Sequence, residues 1–144
     1  MTPVASGKKK RVFIDSNILL YAVDADGGQK REMARKLLVE LVFEGQIVIS
    51  TQVLQEFYNT ATRKFQMDAV AVKAIVKGLG NYEVTPVSTQ TIDEAIDLSI
   101  LNKLSFWDSL IVVAARQSNC DIIYSEDMNS GQVVAGVKMV DPFS

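Results

Sequence analysis

The chain has 144 residues, 48% hydrophobic and 22% charged, with a formal net charge of −2: enough for one domain with a real core, and the balance of an ordinary globular protein. It contains no histidine and a single cysteine, Cys120, which excludes a Ser-His-Asp triad, a histidine acid–base pair, histidine-based zinc catalysis, an internal disulfide and any multi-cysteine zinc site. An enzyme built from this inventory must use carboxylates, hydroxyls, lysine or metal ions, and carboxylates favour hard cations such as Mg²⁺ or Mn²⁺.

The charge is uneven. Lys8, Lys9, Lys10 and Arg11 supply four of the 15 positive charges, and without them 11 bases face 17 acids, a balance of −6. An acidic body is unlike a general nucleic-acid coat, although acids clustered about metal ions, with bases around them, can still bind a polyanion. Residues 1–9 are expected to form a disordered, solvated basic tail and residues 10–144 a single domain. No apolar run approaches the roughly 20 residues needed to span a bilayer. "MTPVASGKKKR" also lacks the apolar stretch of a secretory signal, so a cytoplasmic location without membrane contact is expected.

In chain order, Arg11–Asp15 reads as a buried strand, followed by a short helix from Ser16. A longer helix runs near Gln29–Phe43, with Met33, Leu37, Leu38 and Leu41 at helical spacing. Gln46–Ser50 is a strand, and helices follow near Thr51–Phe65 and Asp68–Leu79. "YEVTPVS" holds a third strand. "TIDE" (Thr91–Glu94) has the form of a capping box opening a helix to about Leu101. "SFWDSLIVVAARQ" is a further helix, apolar nearly all round and therefore central. Asp121–Ser125 is a fourth strand and Val137–Val140 a fifth. Strands alternating with helices imply a mostly parallel sheet covered on both faces, with ligands bound beyond the carboxyl ends of its strands.

Four acids break this pattern. Asp15 lies between two buried runs in "RVFIDSNILLYA". Glu56 borders the stripe formed by Val53, Phe57 and Thr60. Asp108 opens the most apolar helix, three and four residues before Ile111 and Val112, and Asp127 follows the fourth strand. Each has a bland reading: a helix cap for Asp15, a helix N-terminus for Asp108, solvent for Glu56 and a turn for Asp127. Together they are harder to dismiss. Two carboxylates about 4 Å apart repel by roughly 4 kcal/mol at an effective dielectric near 20, so a partly buried cluster must take up protons or a cation.

The segments "FIDSNILLYA", "ISTQVLQEFYNTATRK", "LSFWDSLIVVAA" and "YSEDMNSGQVVAGVKMVDPF", in that order, resemble the PIN-domain nucleases, and among them the VapC-type toxins of toxin–antitoxin pairs. The resemblance covers about Val12 to Phe143. It implies a three-layer α/β fold with central strand order 3-2-1-4-5 and Mg²⁺- or Mn²⁺-dependent endoribonuclease activity. It further implies an RNA substrate, a small antitoxin as partner and a homodimer. The family's four acids map onto Asp15, Glu56, Asp108 and Asp127, as metal ligands and catalytic residues, with Ser16 where threonine is common. Asp127 rather than its neighbour Glu126 aligns with the fourth acid, which leaves Glu126 to solvent or a basic neighbour. Ser16 and Asn17 would orient Asp15. Arg63, Lys64 and Arg116 are candidate phosphate contacts, against the simpler reading of a solvated face. Trp107 and Phe106 could stack on bases, although packing into the core is the ordinary role. The alternatives are a catalytically silent PIN-like module that binds RNA or protein, a haloacid-dehalogenase-type phosphatase (for which Asn17 stands where a second aspartate is required) and a response-regulator receiver.

Overall fold

The computed structural model describes residues 10–144; the expected disordered tail, residues 1–9, lies outside them. The elements are β1 (Lys10–Ile14), α1 (Ser16–Val23), α2 (Gly28–Glu44), β2 (Gly45–Ser50), α3 (Thr51–Arg63), α4 (Ala69–Leu79), β3 (Glu83–Thr85), α5 (Thr89–Asn102), α6 (Phe106–Gln117), β4 (Ile122–Tyr124), β5 (Val133–Val134) and β6 (Val137–Val140). They form a six-stranded sheet in the order β3-β2-β1-β4-β6-β5, parallel except for the terminal β5–β6 pair. No single helix among the described residues is long and apolar enough to cross a membrane.

The chain steps from β1 to β2 to β3 in one direction, and α5 and α6 then carry it back to β4 on the other side of β1. Right-handed crossovers therefore put α1–α4 on one face and α5–α6 on the other. The strands are sandwiched, which is why they read as continuous apolar runs: Val12, Phe13, Ile14, Val48 and Ile49 are all fully buried. Every residue of α6 from Ser109 to Ala115 is buried as well, as expected of a helix with no polar face.

Gly45 joins α2 directly to β2. A Cβ there would lie 2.4 Å from the Lys10 carbonyl oxygen, so only glycine lets the second strand approach the start of the first at this register.

The structure corrects the sequence reading in several places. The expected order 3-2-1-4-5, with Val137–Val140 as its fifth strand, is found; what the sequence reading missed is one further edge strand, Val133–Val134, which pairs antiparallel with Val137–Val140. The connecting pair Ala135–Gly136 has φ of 52° and 82°, the two positive values of a two-residue hairpin turn. Alanine in the first place hides that turn from sequence. The helix expected from Thr91 begins at Thr89: Ser88 is the cap, and the Thr91 hydroxyl closes the box by accepting from the Ser88 N–H. Met33 is exposed, and Ala34 and Leu41 are the buried positions of α2. Trp107 is 63% exposed and lies outside the core, edge-on to the half-buried Phe106 with ring centroids 5.2 Å apart.

Candidate active site

The sheet order reverses between β1 and β4, where crossovers depart to opposite faces and leave a crevice at the carboxyl ends. Ile14 is in register with Tyr124, and the Asp15 N–H continues the ladder to the Tyr124 carbonyl at 3.0 Å. Asp15 and Ser125 therefore leave adjacent strands side by side. Asp15 is 5% exposed and caps α1, its Oδ1 accepting from the Ser16 N–H at 2.7 Å. The bland reading of Asp15 as a cap is thus realised, but it accounts for one oxygen only. Oδ2 accepts from the Ser125 hydroxyl at 2.7 Å and more weakly from Asn17 Nδ2 at 3.4 Å.

Glu56 arrives on α3. Ser50 caps that helix, and Val53, Phe57 and Ala61 are buried four residues apart. This anchors one face and leaves Glu56 at its border, half-buried. Its Oε1 accepts from the Ser16 hydroxyl at 3.2 Å. Asp108 stands in the first turn of α6, whose cap Ser105 accepts from the Asp108 N–H at 3.0 Å. Asp127 follows β4: its backbone N–H donates to the Ser125 hydroxyl at 3.2 Å, and its Oδ2 accepts from Asn17 Nδ2 at 3.1 Å.

These side chains line one open cleft of about 680 Å³. It gathers Asp15, Ser16, Asn17, Glu56, Asp108 and Asp127 from four separated segments, and Lys64 is the one basic side chain among its described lining residues. Arg63 is exposed outside the cleft lining. Arg116 also lies outside it, ion-paired to Glu94 of α5 at 2.8 Å. Glu126 lines the rim, where it accepts from the Tyr21 hydroxyl at 2.7 Å and pairs with Lys30. Lys30 also sits over the Tyr21 and Phe143 rings, 5.2 and 5.6 Å from their centroids.

The electrostatics follow from this crowding. Burial pushes the Asp15 carboxyl up from 3.8 to about 6. The hydrogen bonds from Ser125 and Ser16 oppose the rise, and the charges of Glu56 and Asp127 add to it. Glu56 is raised by burial first and then by Asp108 and Asp127, against the bonds from Ser16 and Gln52. Asp108 is raised by burial and by Asp127, with Ser105 opposing. Glu126 behaves differently: burial pushes it up, but Lys30 and Tyr21 outweigh that and leave it below its ordinary value. Glu126 carries a compensated charge, whereas Asp15, Glu56 and Asp108 share an uncompensated one.

A cluster of carboxylate oxygens with excess negative charge matches what a hard divalent cation takes as ligands. The acids are close enough for the charge of Asp127 to raise the pKa of Asp15, Glu56 and Asp108, yet among the described residues no group of three stands in a geometry that would itself hold a metal ion. Clasping one would require side-chain adjustment.

Sequence reasoning missed Ser125. It is fully buried, and its hydroxyl touches Asp15, Asn17 and the Asp127 backbone. An uncharged serine in "YSED" does not interrupt any pattern. Its only signal is its position, first after a central strand, where this architecture places its sites.

The architecture has known counterparts. VapC20 of Mycobacterium tuberculosis, described as a sarcin-ricin loop cleaving toxin, superposes with a TM-score of 0.65 at 16% identity, over 81% of this chain and 89% of its own. A toxin–antitoxin complex from Klebsiella pneumoniae gives 0.66 at 19% identity, covering 91% and 97% of the two chains. VapBC2 of Rickettsia felis, bound to a DNA fragment from its promoter, gives 0.68 at 16% identity, covering 90% and 96%. At such identities the likeness is one of fold. Comparison with curated protein sequences finds no match. The family model of the PIN domain, however, matches residues 12–133, a span that begins in β1 and takes in all four acids of the cleft, and the chain belongs to the PIN-domain family.

Proposed function

We propose that the cleft is the active site of a divalent-metal-dependent endoribonuclease and that the protein is the toxin of a toxin–antitoxin pair. The observation that carries this reading is the convergence of Asp15, Glu56, Asp108 and Asp127 on one cleft in a chain without histidine. Asp15 and Asp108 would be the principal ligands of Mg²⁺ or Mn²⁺, with Glu56 and Asp127 ligating directly or through water. When bound, such an ion supplies neutralisation of phosphate charge and a more acidic water.

The chain's own residues do the rest. Ser16 and Ser125 fix the two oxygens of Asp15, so one principal ligand needs no reorganisation. Asn17 spans Asp15 and Asp127 with one amide and sets their separation. Lys64 is the candidate phosphate contact inside the cleft. Arg63 would act from the end of α3, and Arg116 only by releasing Glu94. An RNA substrate is supported by the fold shared with VapC20.

The test is cleavage of an RNA panel. EDTA should abolish it and Mg²⁺ or Mn²⁺ restore it, while Asp15→Asn and Asp108→Asn should be folded and inactive. Full activity in either variant would sink the mechanism. One observation favours a second reading, a catalytically silent module that binds RNA or protein: among the described residues no three acids are poised to clasp an ion. RNA binding without cleavage at any Mn²⁺ concentration would support it.

An antitoxin partner and a homodimer belong to the same proposal. The solved structures that share this fold include a toxin–antitoxin complex and VapBC2 bound to a promoter DNA fragment. This chain leaves apolar side chains for such contacts: Val70 on α4 is 77% exposed, and Ile100 and Leu101 on α5 are 72% and 79% exposed. Light scattering at tens of micromolar should give twice the chain mass; the mass of one chain would remove the homodimer.

A further inference from the structure

Gln52 is 5% exposed, in the first turn of α3, one turn ahead of Glu56. Its Nε2 donates to the Trp107 carbonyl at 3.3 Å and, at the limit of hydrogen bonding, to Glu56 Oε2 at 3.5 Å. Its Oε1 is buried and, among the described residues, is the one buried side-chain oxygen or nitrogen without a partner. The orientation of the amide is dictated by its neighbours. Both contacts are acceptors, so the reversed amide would set its oxygen against a carboxylate and a carbonyl.

An unmet buried acceptor costs folding free energy. Methionine or leucine would fill the same space without that cost, so packing does not explain the amide. What the amide adds is a tether between two acid-bearing helices. Trp107 immediately precedes Asp108 in the first turn of α6, and Glu56 is the acid of α3. With the Ser16 hydroxyl on Oε1 at 3.2 Å and the Gln52 amide on Oε2, each oxygen of Glu56 has its own donor.

Resting on the reading of the cleft as a metal site, we infer that Gln52 is a positioning residue that holds Glu56 in register with Asp108 across the α3–α6 boundary, so that the two carboxylates can serve one cation. Gln52 does not line the cleft and touches neither ion nor substrate. It acts through Glu56 and the start of α6. The unpaired Oε1 is the cost of that arrangement.

The experiment is a calorimetric Mn²⁺ titration of the metal-free protein, with thermal melts in EDTA, on wild type, Gln52→Met and, as a second apolar replacement, Gln52→Leu. The tether predicts at least a fivefold weaker Mn²⁺ affinity with a melting temperature in EDTA equal to or above wild type, because the orphaned acceptor is gone. In cleavage assays the metal concentration for half-maximal rate should rise by the same factor, while the rate at saturating metal stays within about twofold. A lowered melting temperature with unchanged Mn²⁺ affinity would assign Gln52 to packing and overturn the inference. Binding by wild type that both variants match also overturns it alone. Absence of Mn²⁺ binding by wild type overturns the reading of the cleft, and the inference with it.

Discussion

Replacing Asp15 with asparagine is expected to stabilise the metal-free protein at pH 7 while abolishing cleavage. The Asp15 carboxyl is pushed from 3.8 to about 6 in the fold, so the native state binds a proton that the unfolded chain has already released. Wherever the native state binds more protons, stability falls as pH rises. Asp15 therefore erodes stability between about pH 4 and pH 6, with the full loss present above pH 6 and none of it below pH 4. The gap corresponds to about 3 kcal/mol at pH 7. Asparagine keeps the acceptor facing the Ser16 N–H but sets amide hydrogens against the Ser125 hydroxyl and Asn17, which returns about 1–2 kcal/mol of the gain. A net rise of about 1–2 kcal/mol would lift the melting temperature by roughly 3–8 °C. Melts in EDTA at pH 7 and pH 4 check this: the advantage of Asp15→Asn should shrink at the lower pH. Millimolar Mg²⁺ should raise the melting temperature of wild type and leave Asp15→Asn unmoved. A variant that melts at or below wild type in EDTA at pH 7 would contradict the assignment of Asp15 as an uncompensated buried charge.

The opposite signature is expected next door to another of the acids. Phe57 is fully buried, the middle of the Val53, Phe57, Ala61 row that docks α3, and it follows Glu56 in sequence. Phe57→Ala should cost about 3–5 kcal/mol, a large share of the roughly 5–15 kcal/mol available to a domain. Because the same row fixes the rotation of α3, activity should fall even where the variant is folded. Glu56→Gln supplies the contrast: it removes a partly buried charge, so stability should hold or rise while cleavage is lost. Urea unfolding beside cleavage rates separates the two. A Phe57→Ala variant within 1 kcal/mol of wild type would mean that the site is not anchored through this face.

Those two residues also mark what was legible in the sequence. Phe57 and its row could be read because helical spacing exposes an apolar face, and Asp15 because a charge inside an apolar run stands out and a helix cap accounts for only one of its oxygens. The doubly covered sheet was legible for the same reason, since strands buried on both faces give unbroken apolar stretches. What escaped was held by groups without a pattern. The Ala135–Gly136 turn carries only half the usual glycine and asparagine signal, and with it went the edge strand Val133–Val134. The Ser88 cap was hidden by the acidic "TIDE" three residues on. Ser125 and Gln52 act through hydrogen bonds that exist only after strands and helices distant in sequence have met. Trp107 misled because a large aromatic at the head of a buried helix reads as core, whereas the helix buries the side chains that follow it.

The bond between Ser125 and Asp15 joins residues 110 positions apart, and it rests on a first strand whose neighbour β4 is contributed by the far end of the sequence. Contacts of such separation form late, because the intervening loop must close before they add anything. A ribosome making this protein releases Asp15 early but cannot release a complete cleft until Asp127 has also emerged. The same geometry governs interrupted synthesis: a product terminated before β4 carries at most three of the four carboxylates and leaves Asp15 without the strand beside which it is held. Completeness of the chain is thereby built into the cleft itself.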